Sequence, residues 1–289
     1  MSRIDVRKTY KLYIGGAFPR SESSYTYEVL DSKGKFVANA ALASRKDARD
    51  AVAAARKAFG GWSGRTAYNR AQIIYRIAEV MEDRRPQFVQ AVSQSEGLST
   101  AKAGGVVDEA IDRLVSYAGW ADKLAQVVGN ANPVAGPFFN LSTPEPTGVV
   151  AVLAPQGSSL LGLVSVVAPV IVSGNTTVVV SSYERPLPAV TFAEVLATSD
   201  VPGGVVNLLT GSAATVGPWL ASHMDVNAID LTGIAGDVQL ATDLEVAAAE
   251  SLKRVRRAPA AEPDWTLAPG LEPMTAFLET KTVWHPIGV

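Results

Sequence analysis

The stretch Gly148-Val149-Val150-Ala151-Val152-Leu153-Ala154-Pro155 opens a run without polar alternation, followed by the apolar segment Leu160 to Val172 and by Thr176-Thr177-Val178-Val179-Val180. Short, wholly apolar runs separated by a longer apolar segment are the pattern of parallel strands buried on both faces and joined by a helix. The rhythm continues with Leu187 to Ala197 as helix, Val205 to Leu209 as strand, Ala213 to Ala221 as helix and Ala228 to Leu231 as strand. Such alternation predicts right-handed βαβ units and an α/β fold with a doubly wound parallel sheet. Ligands in these sheets sit beyond the carboxyl ends of the strands.

Upstream, the Pro, Gly, Phe and Asn content of Pro133 to Pro146 marks a boundary, and the part before it, to about Asn132, reads as mainly helical. Ser44 with Asp47 forms a capping box, after which Ala48, Val52, Ala55 and Phe59 recur at helical spacing until Gly60-Gly61. A second amphipathic helix starts near Thr66, with Ala71, Ile74, Ala78 and Met81 on one face, and a third covers about Val106 to Leu124. Tyr10 to Ile14 alternates ahead of Gly15-Gly16, a short hairpin signal. Downstream, a helix follows Asp237 to about Lys253, and the cluster Lys253 to Arg257 reads as a solvated helix end. Ala258 to Pro273 shows no periodicity and reads as a linker, and Met274 to Val283 alternates as a terminal strand in need of a partner edge.

The 289 residues carry 26 Lys+Arg against 28 Asp+Glu, a balance that gives no reason to expect nucleic acid or an acidic membrane surface. The longest apolar run is too short and too interrupted to span a bilayer, so no membrane is expected. The polar start Met1 to Tyr10 lacks the features of a secretory signal, and the expected setting is cytoplasmic. There is no Cys, which excludes a disulfide framework, thiolate metal ligation and a thiol nucleophile supplied by this chain.

The residues resemble the aldehyde dehydrogenase superfamily in several blocks kept in order: Gly148 to Pro155, Ala168-Pro169, Gly174-Asn175-Thr176, Pro202-Gly203-Gly204-Val205-Val206-Asn207, Thr210-Gly211 and Leu231-Thr232-Gly233. Tyr13-Ile14-Gly15-Gly16, the Asp47 to Trp62 helix, Asn69-Arg70-Ala71 and Tyr117-Ala118-Gly119-Trp120-Ala121 extend the likeness toward the N-terminus. The resemblance implies a Rossmann-like nucleotide-binding domain with N-terminal helices (1–132) and an α/β part (148–255). It further implies a protruding oligomerisation arm (133–147), a linker in place of the catalytic domain (256–273) and a C-terminal oligomerisation strand (274–289).

At the chemical positions the chain departs from that family. Gly157 in Pro155-Gln156-Gly157-Ser158-Ser159 stands where the family's Asn helps hold the oxyanion, a loss that typically costs about 10² to 10³ in rate. Val180 falls on the family's ribose-contacting Lys, Tyr183 on its Glu, and Ile234 on the Ser beside the cofactor pyrophosphate; the general-base Glu would fall near Ala258. The resemblance therefore implies an eroded cofactor site at Ala154, Pro155, Gln156, Val180, Gly211, Thr232 and Gly233, with NAD(P) weakened, and no catalytic residue. Gly211 to Gly217 either cradles a phosphate or makes a tight strand-to-helix turn. Ser158-Ser159 lacks a nucleophile elbow, and His223 and His285 lack ligand spacing, so no metal is expected.

The expected function is a non-catalytic subunit that stabilises or regulates a full-length aldehyde dehydrogenase, or pairs with itself, through the arm and terminal strand. The alternatives are a non-catalytic NAD(P)-binding protein and an NAD-dependent aldehyde oxidoreductase whose site is completed by a partner.

Overall fold

A computed structural model describes residues 7–287. In chain order the elements begin with β1 (Thr9–Tyr10), β2 (Thr26–Leu30), β3 (Phe36–Ala41), α1 (Arg45–Ser63), α2 (Ala67–Asp83), α3 (Arg85–Glu96), α4 (Thr100–Trp120) and α5 (Leu124–Val128). Next come β4 (Asn130–Asn132), β5 (Phe138–Pro146), β6 (Val149–Leu153), α6 (Leu161–Val172), β7 (Thr176–Val180), α7 (Leu187–Leu196), β8 (Val206–Leu209), α8 (Ala213–Ser222) and β9 (Ala228–Asp230). A 3₁₀ turn (Thr232–Ile234), α9 (Val238–Ala249), β10 (Arg254–Arg256), α10 (Glu272–Thr275) and β11 (Leu278–Pro286) complete the chain.

The central sheet is parallel throughout, in the order β10-β9-β6-β7-β8. Its side chains divide by parity as a pleat requires. Val150, Val152 and Val179 pack with α2, α4, α6 and α7, whereas Val149, Ala151, Leu153, Val178 and Val180 pack with α1, α8 and α9. Both faces are covered, which is why these strands are apolar at every position. Helix α6 is buried along its whole length between the sheet and α4, so its sequence needs no polar stripe.

Several sequence expectations are corrected. Helix α1 runs through Gly60-Gly61 to Ser63, because Trp62 is driven into the core, where its indole N–H donates to the Ile171 carbonyl at 2.9 Å. The N-terminal part is less helical than expected: β1, β3 and β2 form a small sheet, and Tyr10 to Ile14 is divided between two partners. Tyr10 joins β3, Tyr13 bridges to Leu208 of β8, and only Ile14 and Ala17 close the Gly15-Gly16 turn. Helix α4 begins earlier than Val106, capped by Ser99, and α9 ends at Ala249.

The basic cluster is not a solvated helix end. Arg254–Arg256 is an edge strand parallel to β9, with Arg254 on Glu279, Arg256 on Asp230 and Glu272, and Arg257 on Glu245. The terminal strand starts at Leu278 rather than Met274, whose side chain is buried in the core. It runs antiparallel to β5 over nine residues, from Leu278 opposite Pro146 to Pro286 opposite Phe138, in a separate sheet ordered β11-β5-β4. No helix among the described residues is long and apolar enough to cross a membrane.

Candidate functional site

The carboxyl ends of β6, β7, β8 and β9 present Ala154 to Ser159, Ser181 to Arg185, Thr210-Gly211 and Leu231 to Ile234 along one edge of the sheet. The sequence-predicted cofactor residues are thereby gathered, but six of the seven are buried: Ala154, Pro155, Val180, Gly211, Thr232 and Gly233. Val180 is fully enclosed by apolar neighbours. A Cβ on Gly233 would lie 2.1 Å from the Leu153 carbonyl oxygen and 2.2 Å from Ala154, so the 3₁₀ turn rests directly on the end of β6. Gly211 lies against Leu42 and Ala43 ahead of α1, with the Thr210 carbonyl accepting from the Ala43 N–H at 2.9 Å.

The polar groups along this edge are committed to one another. Gln156 donates to the Ala154 carbonyl at 2.7 Å and accepts from the Tyr183 N–H at 3.1 Å. The Thr232 N–H and hydroxyl both donate to buried Asp230, whose other oxygen lies 3.1 Å from Arg256. Tyr183 stacks on Tyr27 at 4.6 Å between ring centroids. Burial, reinforced by the neighbouring Tyr183, pushes the Tyr27 hydroxyl far above the usual phenol range. Val180 and Ile234 are enclosed and Thr232 is committed to Asp230, so these positions present neither the free cation nor the free hydroxyl that the resemblance implies for the ribose and pyrophosphate of a dinucleotide.

The two candidate serines have structural partners. The Ser158 hydroxyl accepts from the Gly162 N–H at 2.9 Å in the first turn of α6, and Ser159 donates both its N–H and its hydroxyl to Glu96. His223 follows the C-terminal end of α8, accepting the Asp225 N–H, and burial holds its imidazole below the usual range, while His285 stands exposed on β11. Among the described residues no three His, Cys, Asp or Glu side chains converge in a metal-binding group.

Sequence reasoning missed the residue that fills this site, Glu262. Its carboxylate accepts the Gly157 N–H at 2.9 Å, the Ser158 N–H at 2.8 Å and the Trp265 indole N–H at 3.0 Å. Arg185 holds the Gly157 carbonyl. A Cβ on Gly157 would stand 2.8 Å from Glu262 Oε2, so the glycine at the family's Asn position and the incoming carboxylate occupy each other's space. The irregular strap 258–271 that carries Glu262 is latched further along. Buried Arg113 donates to the Trp265 and Leu267 carbonyls at 2.6 and 3.0 Å, and Gly236 N–H donates to the Pro259 carbonyl at 3.2 Å. The available signal was Gly157 itself, a position where a side chain had gone and something else could enter.

The comparisons with known proteins agree with this architecture. The human cytosolic 10-formyltetrahydrofolate dehydrogenase is 34% identical over 236 residues, 79% of this chain and 26% of its own length. Aldehyde dehydrogenase, cytosolic 1, of Elephantulus edwardii is 32% identical over 261 residues, 88% of this chain and 51% of its own. The chain thus spans between a quarter and half of the curated relatives it matches. The solved NAD+ complex of an aldehyde dehydrogenase from Bacillus cereus superposes with a TM-score of 0.80 at 26% identity, covering 86% of this chain and 50% of that one. With residues 19–257 matching the profile of the aldehyde dehydrogenase family, the chain belongs to that family.

Proposed function

We propose that this chain is a non-catalytic member of the family that associates with a full-length aldehyde dehydrogenase, or with a second copy of itself, through the β11-β5-β4 sheet. The observation that carries the reading is the Glu262 carboxylate seated on the Gly157 and Ser158 N–H groups. Donors at such a loop assist acyl chemistry by meeting a negative charge as it develops. A carboxylate seated there opposes that charge, and the chain contains no Cys to act as nucleophile.

The association half rests on the arm. Strand β11 is an edge of its sheet, its outer side carries no partner strand among the described residues, and Glu279 to Pro286 is mostly exposed. Phe138, Phe139, Trp284 and Ile287 add exposed apolar surface at the same tip. A long open edge with aromatic flanks is a template for another strand. The cytosolic relatives support a cytoplasmic setting.

The test is recovery of the tagged chain from native cells, followed by an aldehyde and NAD assay with the chain present and absent. Stoichiometric co-purification of a full-length aldehyde dehydrogenase, or a homo-oligomer lost on Trp284→Asp, is the expected result. A free monomer would refute the association.

A further inference from the structure

We propose that the Gly157-Ser158 loop is a binding seat for small monocarboxylates, filled in cis by Glu262 and gained by an external carboxylate when the exposed stretch 260–264 of the strap lifts. Three observations converge on it. Consecutive N–H groups aimed at one carboxylate form an anion-binding nest, and here each Glu262 oxygen takes one of them, Oε2 from Gly157 and Oε1 from Ser158. The seat is therefore shaped for a two-oxygen anion, with the Trp265 indole N–H, held in place through the Trp265 carbonyl by Arg113, as a third donor to Oε1. Gly157 leaves open the volume that a Cβ would fill, 2.8 Å from Oε2, so the space belongs to the ligand oxygen.

The occupant is displaceable. Glu262 is exposed, and its neighbours from Ala260 to Asp264 are exposed too. The strap has neither helix nor strand, and its firm attachments are elsewhere, at Arg113 and Pro259. Those attachments raise the effective concentration of Glu262 at the seat without burying it, the arrangement of a tethered competitor. A rise in free carboxylate then exchanges with Glu262 and frees residues 260–264 between those attachments. The inference rests on reading the Gly157 loop as a non-catalytic seat, and is independent of association with another chain.

The experiment follows the Gly157 and Ser158 amide resonances of the full chain during titration with acetate at constant ionic strength, chloride being the control anion. In Glu262→Ala and in Glu262→Gln, which keeps the side-chain length, acetate shifts both resonances saturably. The unmodified chain needs about tenfold more acetate for the same shift, because the tethered carboxylate competes. Adding Gly157→Pro to Glu262→Ala removes one N–H and abolishes the saturable shift of the remaining Ser158 resonance. In the unmodified chain, acetate also speeds proteolytic cutting within 258–271. A flat titration in both Glu262 variants, equal midpoints with and without Glu262, or the same shifts from chloride would overturn the seat. None of these outcomes bears on co-purification, so the two readings fail separately.

Discussion

Arg256 offers the sharpest test of how this fold is held. Asp230, at the carboxyl end of β9, is 1% exposed, and Arg256 Nη1 lies 3.1 Å from it while reaching outward to Glu272 at 2.8 Å. At that separation and an effective dielectric of about 20, the attraction between Asp230 and Arg256 is roughly 5 kcal/mol before desolvation is subtracted. Arg256→Met removes the cation and leaves a buried carboxylate with only the Thr232 donors. Breaking a buried pair from one side costs about 3 to 5 kcal/mol, and because Arg256 is 19% exposed the lower figure applies. Glu272 is 63% exposed, so Glu272→Gln should cost under about 1 kcal/mol. In urea unfolding, Arg256→Met should lower the midpoint by about 1 M, and Asp230→Asn/Arg256→Met should recover most of the loss. An Arg256→Met midpoint close to the unmodified chain, or an equal loss from Glu272→Gln, would refute the reasoning.

Three further outcomes are expected. Gly233→Ala places a methyl 2.1 Å from the Leu153 carbonyl and should cost more than about 3 kcal/mol or abolish soluble expression, read by thermal melting. Val180→Lys restores the family's residue at a fully enclosed position, so the melting temperature should fall by about 6 °C or more while calorimetric titration with NAD stays flat. Tyr117 has a buried hydroxyl without a partner among the described residues, and burial, reinforced by Glu272 against Arg113 and Arg256, pushes it up to about 12. The folded chain then keeps a proton that the unfolded chain releases near pH 10. Stability should fall by about 1.4 kcal/mol per pH unit between roughly pH 10 and 12, and Tyr117→Phe should remove that portion of the alkaline slope.

What could be read from the sequence follows from how each element is stabilised. Strands β6, β7 and β9 and helices α6 and α7 are buried on all sides, so their runs are continuous and their bounds emerge within a residue or two. Strand β10 was hidden because its stability comes from ion pairs with Asp230, Glu272 and Glu279, which leave no apolar pattern. Helix α3 keeps helical spacing on its buried face, Phe88, Val89, Ala91, Val92 and Ser95, but the small Ala91 and polar Ser95 thin the apolar stripe, and strands β2 and β3 mix exposed and buried positions without a clean alternation. At the site, Val180 and Gly157 were legible as departures from a family pattern. Glu262 was not, because its partners are 105 and 104 positions away and its own segment has no periodicity.

The pairing of β11 with β5 has a kinetic side. Ser142 and Thr282, hydrogen-bonded at 2.8 Å, are 140 positions apart, whereas β4 and β5 are near neighbours in the chain. Closing so long a loop is slow, and during synthesis β5 emerges well before its partner exists. Until then both β5 and its aromatic tip at Phe138 and Phe139 stand open to any strand that arrives first. Assembly with another chain at this stage would capture β5 rather than β11, so the order of synthesis and encounter can decide which sheet forms.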